Sequence, residues 1–473
     1  MAVSASDIKF RKSEVVTNTS ANGGRKGQIE ITSGMRHNLF PRVTKAERDA
    51  GVTRYRKEFL CNDNADDIAA NDVLVFLEFP SNGGDRFAIG NGSQTGVQSD
   101  LTTSVPVWTG VGSLHASLSS GESQVQLAME SNDFVFPNNG YLHLSNKFET
   151  GQTIDADVSI GNSVEYSAGT WFKIAAEGDI AYPKGLYVGS NTVMTIKETT
   201  GEEWIAIQEY KYTDEDIGDG DGSDTSPVLI SLLHGTNGIC SQASLLPIVT
   251  ATCGASAQTV NIDKDGNCSG YCSAGKLNMS TGVWTTDITW TSAPDVATDI
   301  TITYYENCFS YTGNVATIFL DGTVANAYET ANSYGAGCIF ESEITPAISD
   351  WVETSVAGSY DESTYPLVLF NDGTEYDSWT VTFTSAIAFT VSGANEGSVG
   401  TGGIAVDFEP TNANTGQPYF KIDKDGWAGT WATGETVTFK TYPAAIPIWW
   451  REIVPALTSA VADNLCVLGF YSE

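Results

Sequence analysis

The chain has 473 residues, a formal net charge of −34 and 41% hydrophobic residues. That length exceeds one ordinary core and favours about three domains, while no apolar run approaches the ~20 residues that a bilayer-spanning helix needs. A body so acidic repels phosphate, which argues against direct nucleic-acid binding.

The charge is unevenly placed. Residues 1–60 hold twelve of the 24 Lys/Arg residues and only six of the 58 acids, so one end is mildly basic and the rest strongly acidic. The opening Met1-Ala2-Val3-Ser4-Ala5 runs directly into Asp7 and Lys9, with no hydrophobic region of a secretory signal. Aliphatic and aromatic residues are interspersed with Thr, Ser, Gly and Asn without a 3.6-residue period, and the reading is all-β: tandem β-sandwich modules with an extended N-terminal arm and one short helix.

In chain order, residues 1–38 read as the extended arm, rich in Ser, Asn and Gly around Asn22-Gly23-Gly24-Arg25. Thr44 and Glu47 form a capping-box pattern and Gly51 supplies a stop, which predicts a short helix between them. Arg54–Leu60 alternates as a strand, with Tyr55, Lys57 and Phe59 on one face and Arg54, Arg56 and Glu58 on the other, and Val73–Phe79 is its expected partner. Short strands then continue at sandwich-like intervals, giving an N-terminal β region over 39–213. Residues 214–227 read as an acidic linker, 228–345 as a second β module holding six of the eight cysteines, and 346–473 as a third. Trp379-x-Val381-x-Phe383 alternates strictly, and Leu465–Tyr471 is expected to be a core strand at the C-terminus.

A Gly-x-Trp step recurs three times, at Gly169-Thr170-Trp171, Gly282-Val283-Trp284 and Gly429-Thr430-Trp431. Each is followed by a proline 12, 10 and 12 residues after the tryptophan, and by an apolar run at offsets of 15, 16 and 15. This predicts a repeated β module in which Trp171, Trp284 and Trp431 are structural core. Ile-Asp-Lys-Asp-Gly occurs at 262–266 and 422–426 and reads as a repeated turn.

Chemistry-bearing motifs are sparse. Asp219, Asp221 and Asp224 in the acidic run are candidate oxygen ligands for calcium, although the glycine and glutamate of a helix-loop-helix calcium loop are missing and a solvated linker is the simpler reading. Cys268-x-x-x-Cys272 is the one close cysteine pair, with no second pair or histidine to complete a zinc site. Buried free thiols are the default, with disulfides formed after release as the alternative. No nucleophile elbow, phosphate loop or zinc-protease motif is present, and the chain is not read as an enzyme. A pair of carboxylates would need no local motif, which keeps a polysaccharide depolymerase as an alternative. Trp449 and Trp450 are adjacent, so on a strand they point to opposite faces and at most one serves a sugar platform.

The string LFPRVTKAERDAGVTRYRKEFLCNDN, followed by VLVFLEFP and DRFAIGNGSQTG, resembles the N-terminal segment of virion structural proteins of tailed, Mu-like bacteriophages, and the closing IPIWWREIVPA is similar to the same group. The resemblance covers about 70 residues at the start and a dozen near the end, and it carries no catalytic residues. It implies a virion subunit assembling into the tail or baseplate through its N-terminal region, with other virion proteins and further copies of itself as partners. Capsid decoration and a carbohydrate-binding adhesin are the alternatives. Arg42, Lys45, Arg48, Arg54 and Arg56 are then the residues expected to pair with an acidic neighbouring subunit.

Overall fold

The computed structural model describes residues 3–32, 37–81, 83–146, 202–234, 238–241, 245–330, 333–461 and 466–472, and within 147–201 the backbone of four short strands. The described chain is all-β with one α-helix. Its first strands are β1 (Ile8–Val15), β2 (Gly23–Glu30), β3 (Val52–Asn62), β4 (Ala70–Leu77), β5 (Arg86–Asn91), β6 (Val111–Leu114), β7 (Gln124–Met129) and β8 (Tyr141–Ser145). The four short strands follow as β9 (Ser163–Tyr166), β10 (Thr170–Phe172), β11 (Leu186–Val188) and β12 (Thr192–Thr195), and then β13 (Glu202–Ala206). A middle group comprises β14 (Tyr210–Asp219), β15 (Ile248–Cys253), β16 (Ser256–Ile262), β17 (Cys268–Gly270), β18 (Cys272–Asn278), β19 (Val283–Trp290) and β20 (Asp299–Glu306). After β21 (Phe309–Thr312), β22 (Val315–Phe319), β23 (Tyr334–Gly337) and β24 (Ile339–Ile344) comes a last group. It holds β25 (Ala347–Thr354), β26 (Ala357–Tyr360), β27 (Asp377–Ser385), β28 (Ala388–Gly393), β29 (Gly397–Gly403), β30 (Trp427–Thr430) and β31 (Thr436–Tyr442). The chain closes with β32 (Ala445–Val454) and β33 (Leu468–Tyr471).

The pairing order is not that of modules in series. One sheet runs β2-β1-β3-β32-β5, so the penultimate strand lies between two N-terminal ones, and another runs β24-β4-β33. Strand β3 pairs with β1 and β32, and β4 belongs to the other sheet instead of being its partner. A seven-stranded sheet runs β13-β8-β23-β6-β7-β22-β21. It closes on itself: Ile207 bridges Leu320, the Gln208 amide donates to the Phe319 carbonyl at 3.0 Å, and the Asp321 amide donates to the Ala206 carbonyl at 2.8 Å. The result is a six-stranded antiparallel barrel with β21 appended. Its core holds Leu114, Val125, Leu127, Leu142, Leu144, Ile205, Ile207, Ala316 and Ile318. Room for these side chains comes from glycine: a Cβ at Gly335 would lie 2.8 Å from Leu127, and one at Gly112 would lie 2.5 Å from the Met129 sulfur.

Each long excursion from this body leaves and returns on bonded neighbours. Ser145 pairs with Glu202 across residues 146–201, and Tyr210 pairs with Glu306 across the middle group. Around the last group, Asn62 donates its side-chain amide to the Ile344 carbonyl at 3.0 Å and its backbone N–H to the Ala444 carbonyl at 2.9 Å. The middle and last groups are sandwiches with their own cores, centred on Ile288, Trp290, Ile300 and Ile302 in one, and on Trp379, Phe383, Phe420 and Phe439 in the other. They are insertions into one body, and the expected boundaries at 213 and 345 fall close to two of the stitches while the body strands continue beyond them. Residues 214–219 of the expected acidic linker are strand instead, the second part of β14, paired with β20.

Local predictions from side-chain chemistry hold. The helix spans Lys45–Ala50 with both capping-box bonds made, Thr44 accepting from the Glu47 amide and Glu47 accepting from the Thr44 amide. Both Ile-Asp-Lys-Asp-Gly copies are turns in which the first aspartate accepts the backbone N–H two residues on, Asp263 from Asp265 and Asp423 from Asp425. The N-terminal arm is different from the expectation. Residues 8–30 form the β1–β2 hairpin, because Asn22 donates to the Tyr55 carbonyl at 3.1 Å and the turn at Gly23 (φ 113°) lets the backbone lie against Trp449, where a Cβ would come within 2.9 Å.

Candidate functional site: the basic segment and its acidic partners

Strands β3 and β32 lie side by side over their full length, with Arg54 opposite Glu452, Arg56 opposite Trp450 and Lys57 opposite Trp449. Both faces of this pair are covered. Trp449 enters the core shared with the barrel and Trp450 enters the second core among β3, β4, β5 and β24. The opposite-face geometry of the two tryptophans holds, and with 2% and 5% exposure neither forms a sugar platform.

Arg54 and Arg56 are therefore internal, which corrects their expected docking role. Arg54 donates through Nε to Glu452 at 2.6 Å and through Nη1 to the Pro41 carbonyl at 2.9 Å. Arg56 donates to the carbonyls of Leu39, Thr17 and Tyr55 and to the Asn18 side chain, using four of its five N–H donors. Both guanidinium groups stand over the Phe40 ring, at 5.6 and 5.5 Å. The Leu-Phe-Pro-Arg segment thus works as a plug on β3. Arg42 and Lys45 remain exposed, Lys45 beside Asp49, and Arg48 is half-buried with its guanidinium on the Val43 carbonyl. A shallow depression of about 330 Å³ lies between β1 and this plug, lined by Lys12, Thr17, Asn18, His37 and Arg56.

Other basic residues of the N-terminal hairpin find their acidic surface within the same chain. Lys26 pairs with Glu375 at 3.3 Å in a buried contact, and Arg25 donates to Glu396 at 2.8 Å. Arg11 reaches Asp63 at 2.5 Å and Asp372 at 3.9 Å, while the Asn371 amide donates to Asp67 at 2.7 Å. Burial works against the Lys26 ammonium, yet Glu375 beside it holds its pKa above the ordinary lysine value. These bonds fasten the last insertion to the body. The charge asymmetry visible in the sequence marks a docking surface in cis.

Three buried ionisable groups on this strand pair, Lys57, Glu58 and Glu452, are not marked as a set by any local motif. The Lys57 ammonium is enclosed by the carbonyls of Ser93 (2.6 Å), Gly24 (2.7 Å) and Gly96 (3.0 Å). Burial pushes its pKa down to about 7, against the pull of Asp100. On the opposite face Glu58 accepts from the Trp450 indole at 2.6 Å, and burial raises it to about 7. Glu452 is raised to about 7 by burial despite Arg54, with Asp85 adding a second carboxylate beside it. Burial and the surrounding carboxylates Glu130, Asp85, Glu452 and Glu58 hold the Cys466 thiol well above its ordinary value, which keeps it protonated and unreactive. The visible signal was Arg-Tyr-Arg-Lys-Glu matched in register to Trp-Trp-Arg-Glu, complementary only once the two are laid antiparallel.

The other expected site residues are separate from this network. Asp221 accepts the amides of Ser223 and Asp224, and Asp224 accepts that of Ser226, so both carboxylates cap turns. Asp219 ends β14, and among the described residues no three His, Cys, Asp or Glu side chains are grouped to hold a metal ion. Trp431 is core, stacked on Phe383 with ring centroids 4.2 Å apart. Trp284 packs only partly against its core, and the side chain of Trp171 lies outside the described residues. None of the eight cysteines is joined in a disulfide. Among the described residues no helix is long and apolar enough to cross a membrane. No protein-family model, curated protein or solved structure matches the chain.

Proposed function

We propose that the chain is a structural subunit of a tailed-phage particle, assembling into the tail or baseplate and presenting its inserted sandwiches from a fixed body. One observation supports this reading above the rest. The segments that resemble virion proteins lie hundreds of residues apart, yet they fold together: Leu39–Asn64 supplies the plug, helix and β3, Asp85–Gly96 supplies β5, Ile446–Ala456 supplies most of β32 between them, and Val73–Pro80 supplies most of β4, which lies in the other sheet and packs into the same core. A resemblance scattered along the sequence thereby becomes one sheet and a strand of the neighbouring sheet that shares its core, the unit that a family of assembled subunits would share while its insertions vary. The acidic insertions fit a component that must not capture passing DNA. Exposed Arg42 and Lys45, beside the helix, are the part of the expected docking set still open to a neighbouring subunit.

Cryo-electron microscopy of intact particles from the source tests the assignment. Density for the barrel and its sandwiches repeated around the tail or baseplate is the expected result. The same density on the capsid would replace tail placement by head decoration, and particles without it would overturn the virion reading.

A further inference from the structure

The five-stranded sheet of the last insertion runs β25-β31-β27-β28-β29 and has two unlike edges. Edge strands are normally blunted by charge, proline or a bulge. Strand β25 carries Asp350 and Glu353, with Asp350 at φ 55° where its pairing shifts register. Strand β29, Gly-Ser-Val-Gly-Thr-Gly-Gly, carries neither charge nor proline, and its blunting is confined to a bulge at Val399. Beyond that bulge Thr401, Gly402 and Gly403 run in register with Thr390, Phe389 and Ala388. Two large aliphatic side chains stand beside this run: Ile387, 66% exposed, and Val406, 63% exposed. They flank the same end of the β28–β29 hairpin, since the Ile404 amide donates to the Ile387 carbonyl.

The ionised groups around this run are paired. From Ser378 to Val406 the sequence contains one ionisable side chain, Glu396, held by Arg25 at 2.8 Å and by the Tyr419 hydroxyl at 3.1 Å, and the two acids just beyond, Asp407 and Glu409, share Lys421 at 2.9 and 3.5 Å. Copies of a chain with net charge −34 repel over most of their surface, so they approach best where the strand is uncharged and the neighbouring acids are neutralised by a paired cation. An edge without charge is complementary to itself, as an isologous contact requires.

We propose that β29 is a self-association edge, at which the Thr401–Gly403 run pairs antiparallel with the same run of a second copy and Ile387 and Val406 are covered. The inference stands on the edge itself and not on the virion reading.

The full chain tests it, through its mass in solution by light scattering and sedimentation over a concentration series at moderate salt. A species of twice 50.4 kDa is expected. Thr401→Glu with Val406→Glu places like charges against each other and should weaken association at least ~10-fold, with an unchanged circular dichroism spectrum. Val352→Glu on the opposite edge should leave association intact. A monomeric parent chain, a dimer indifferent to the paired glutamates, or equal loss in Val352→Glu would each overturn the proposal. A monomer would leave the virion assignment to the particle maps.

Discussion

At the scale of single residues, the β3–β32 pair and the nearby Glu130 make stability depend on pH in a way that composition does not suggest. Glu58, Glu130 and Glu452 are raised from 4.5 to about 7, so they bind protons more readily folded than unfolded. Their contribution is complete below pH 4.5 and is lost as pH rises to about 7. Lys57, lowered from 10.5 to about 7, works oppositely: its contribution is present above pH 10.5 and is lost as pH falls toward 7. For these four groups the least favourable pH is near 7, and urea titrations across pH 5 to 9 should show unfolding free energy falling through the acid half of that range. Glu58→Gln should remove on the order of 3 kcal/mol of that dependence, while costing within ~1 kcal/mol at pH 5, because an amide oxygen still accepts from Trp450. Glu452→Leu should cost ~3–5 kcal/mol at pH 5, since it strands the buried Arg54 guanidinium, and less above pH 7, where the contribution of the raised carboxyl is lost. Equal losses in both variants would contradict these roles. The alternation of Arg54, Arg56 and Glu58 on one face was readable from the sequence. That the face is buried was not, because its covering partners lie about 400 residues away at Trp450 and Glu452.

At the scale of elements, short-range chemistry was legible and long-range pairing was not. The capping box needs only Thr44 and Glu47, and the repeated turns need only their first aspartate, so each was fixed by neighbours within a few residues. The Gly-x-Trp repeat was regular in spacing yet unequal in structure. After Trp284 the apolar run Ile300-Thr301-Ile302 stays in its own sandwich as β20, whereas after Trp431 the run Ile446-Pro447-Ile448 leaves as β32 to join the body. Spacing reports how far apart the elements lie in the chain and is silent on which sheet receives them. The barrel was equally hidden, because its closure depends on residues 207 and 320 meeting. Gly335→Val should destabilise the body by ~2–3 kcal/mol through overpacking against Leu127 and Leu144, measured by thermal or urea unfolding. Thr44→Ala, on an exposed helix of six residues, should cost no more than ~1 kcal/mol. The reverse ranking would contradict the barrel packing.

At the scale of the whole molecule, the N- and C-terminal strands are one structure and the acidic sandwiches are excursions from it. The all-β class was evident from composition, but serial modules were the natural reading of a sequence whose turns and acidic runs mark insertions and domain boundaries alike. What distinguishes them is stitching: Tyr210 to Glu306, Ser145 to Glu202, and Asn62 to both Ile344 and Ala444. The most direct test replaces residues 211–305 by an Asn-Gly turn joining the paired Tyr210 and Glu306, and follows unfolding of the shortened chain by calorimetry and by tryptophan fluorescence, which reports on the nine tryptophans that remain, buried Trp449 and Trp450 among them. The account predicts a folded body that retains a cooperative transition and the buried-tryptophan emission of the full chain. Loss of that transition, with Trp449 and Trp450 exposed, would show that the middle sandwich is part of the body's core and would contradict the insertion architecture.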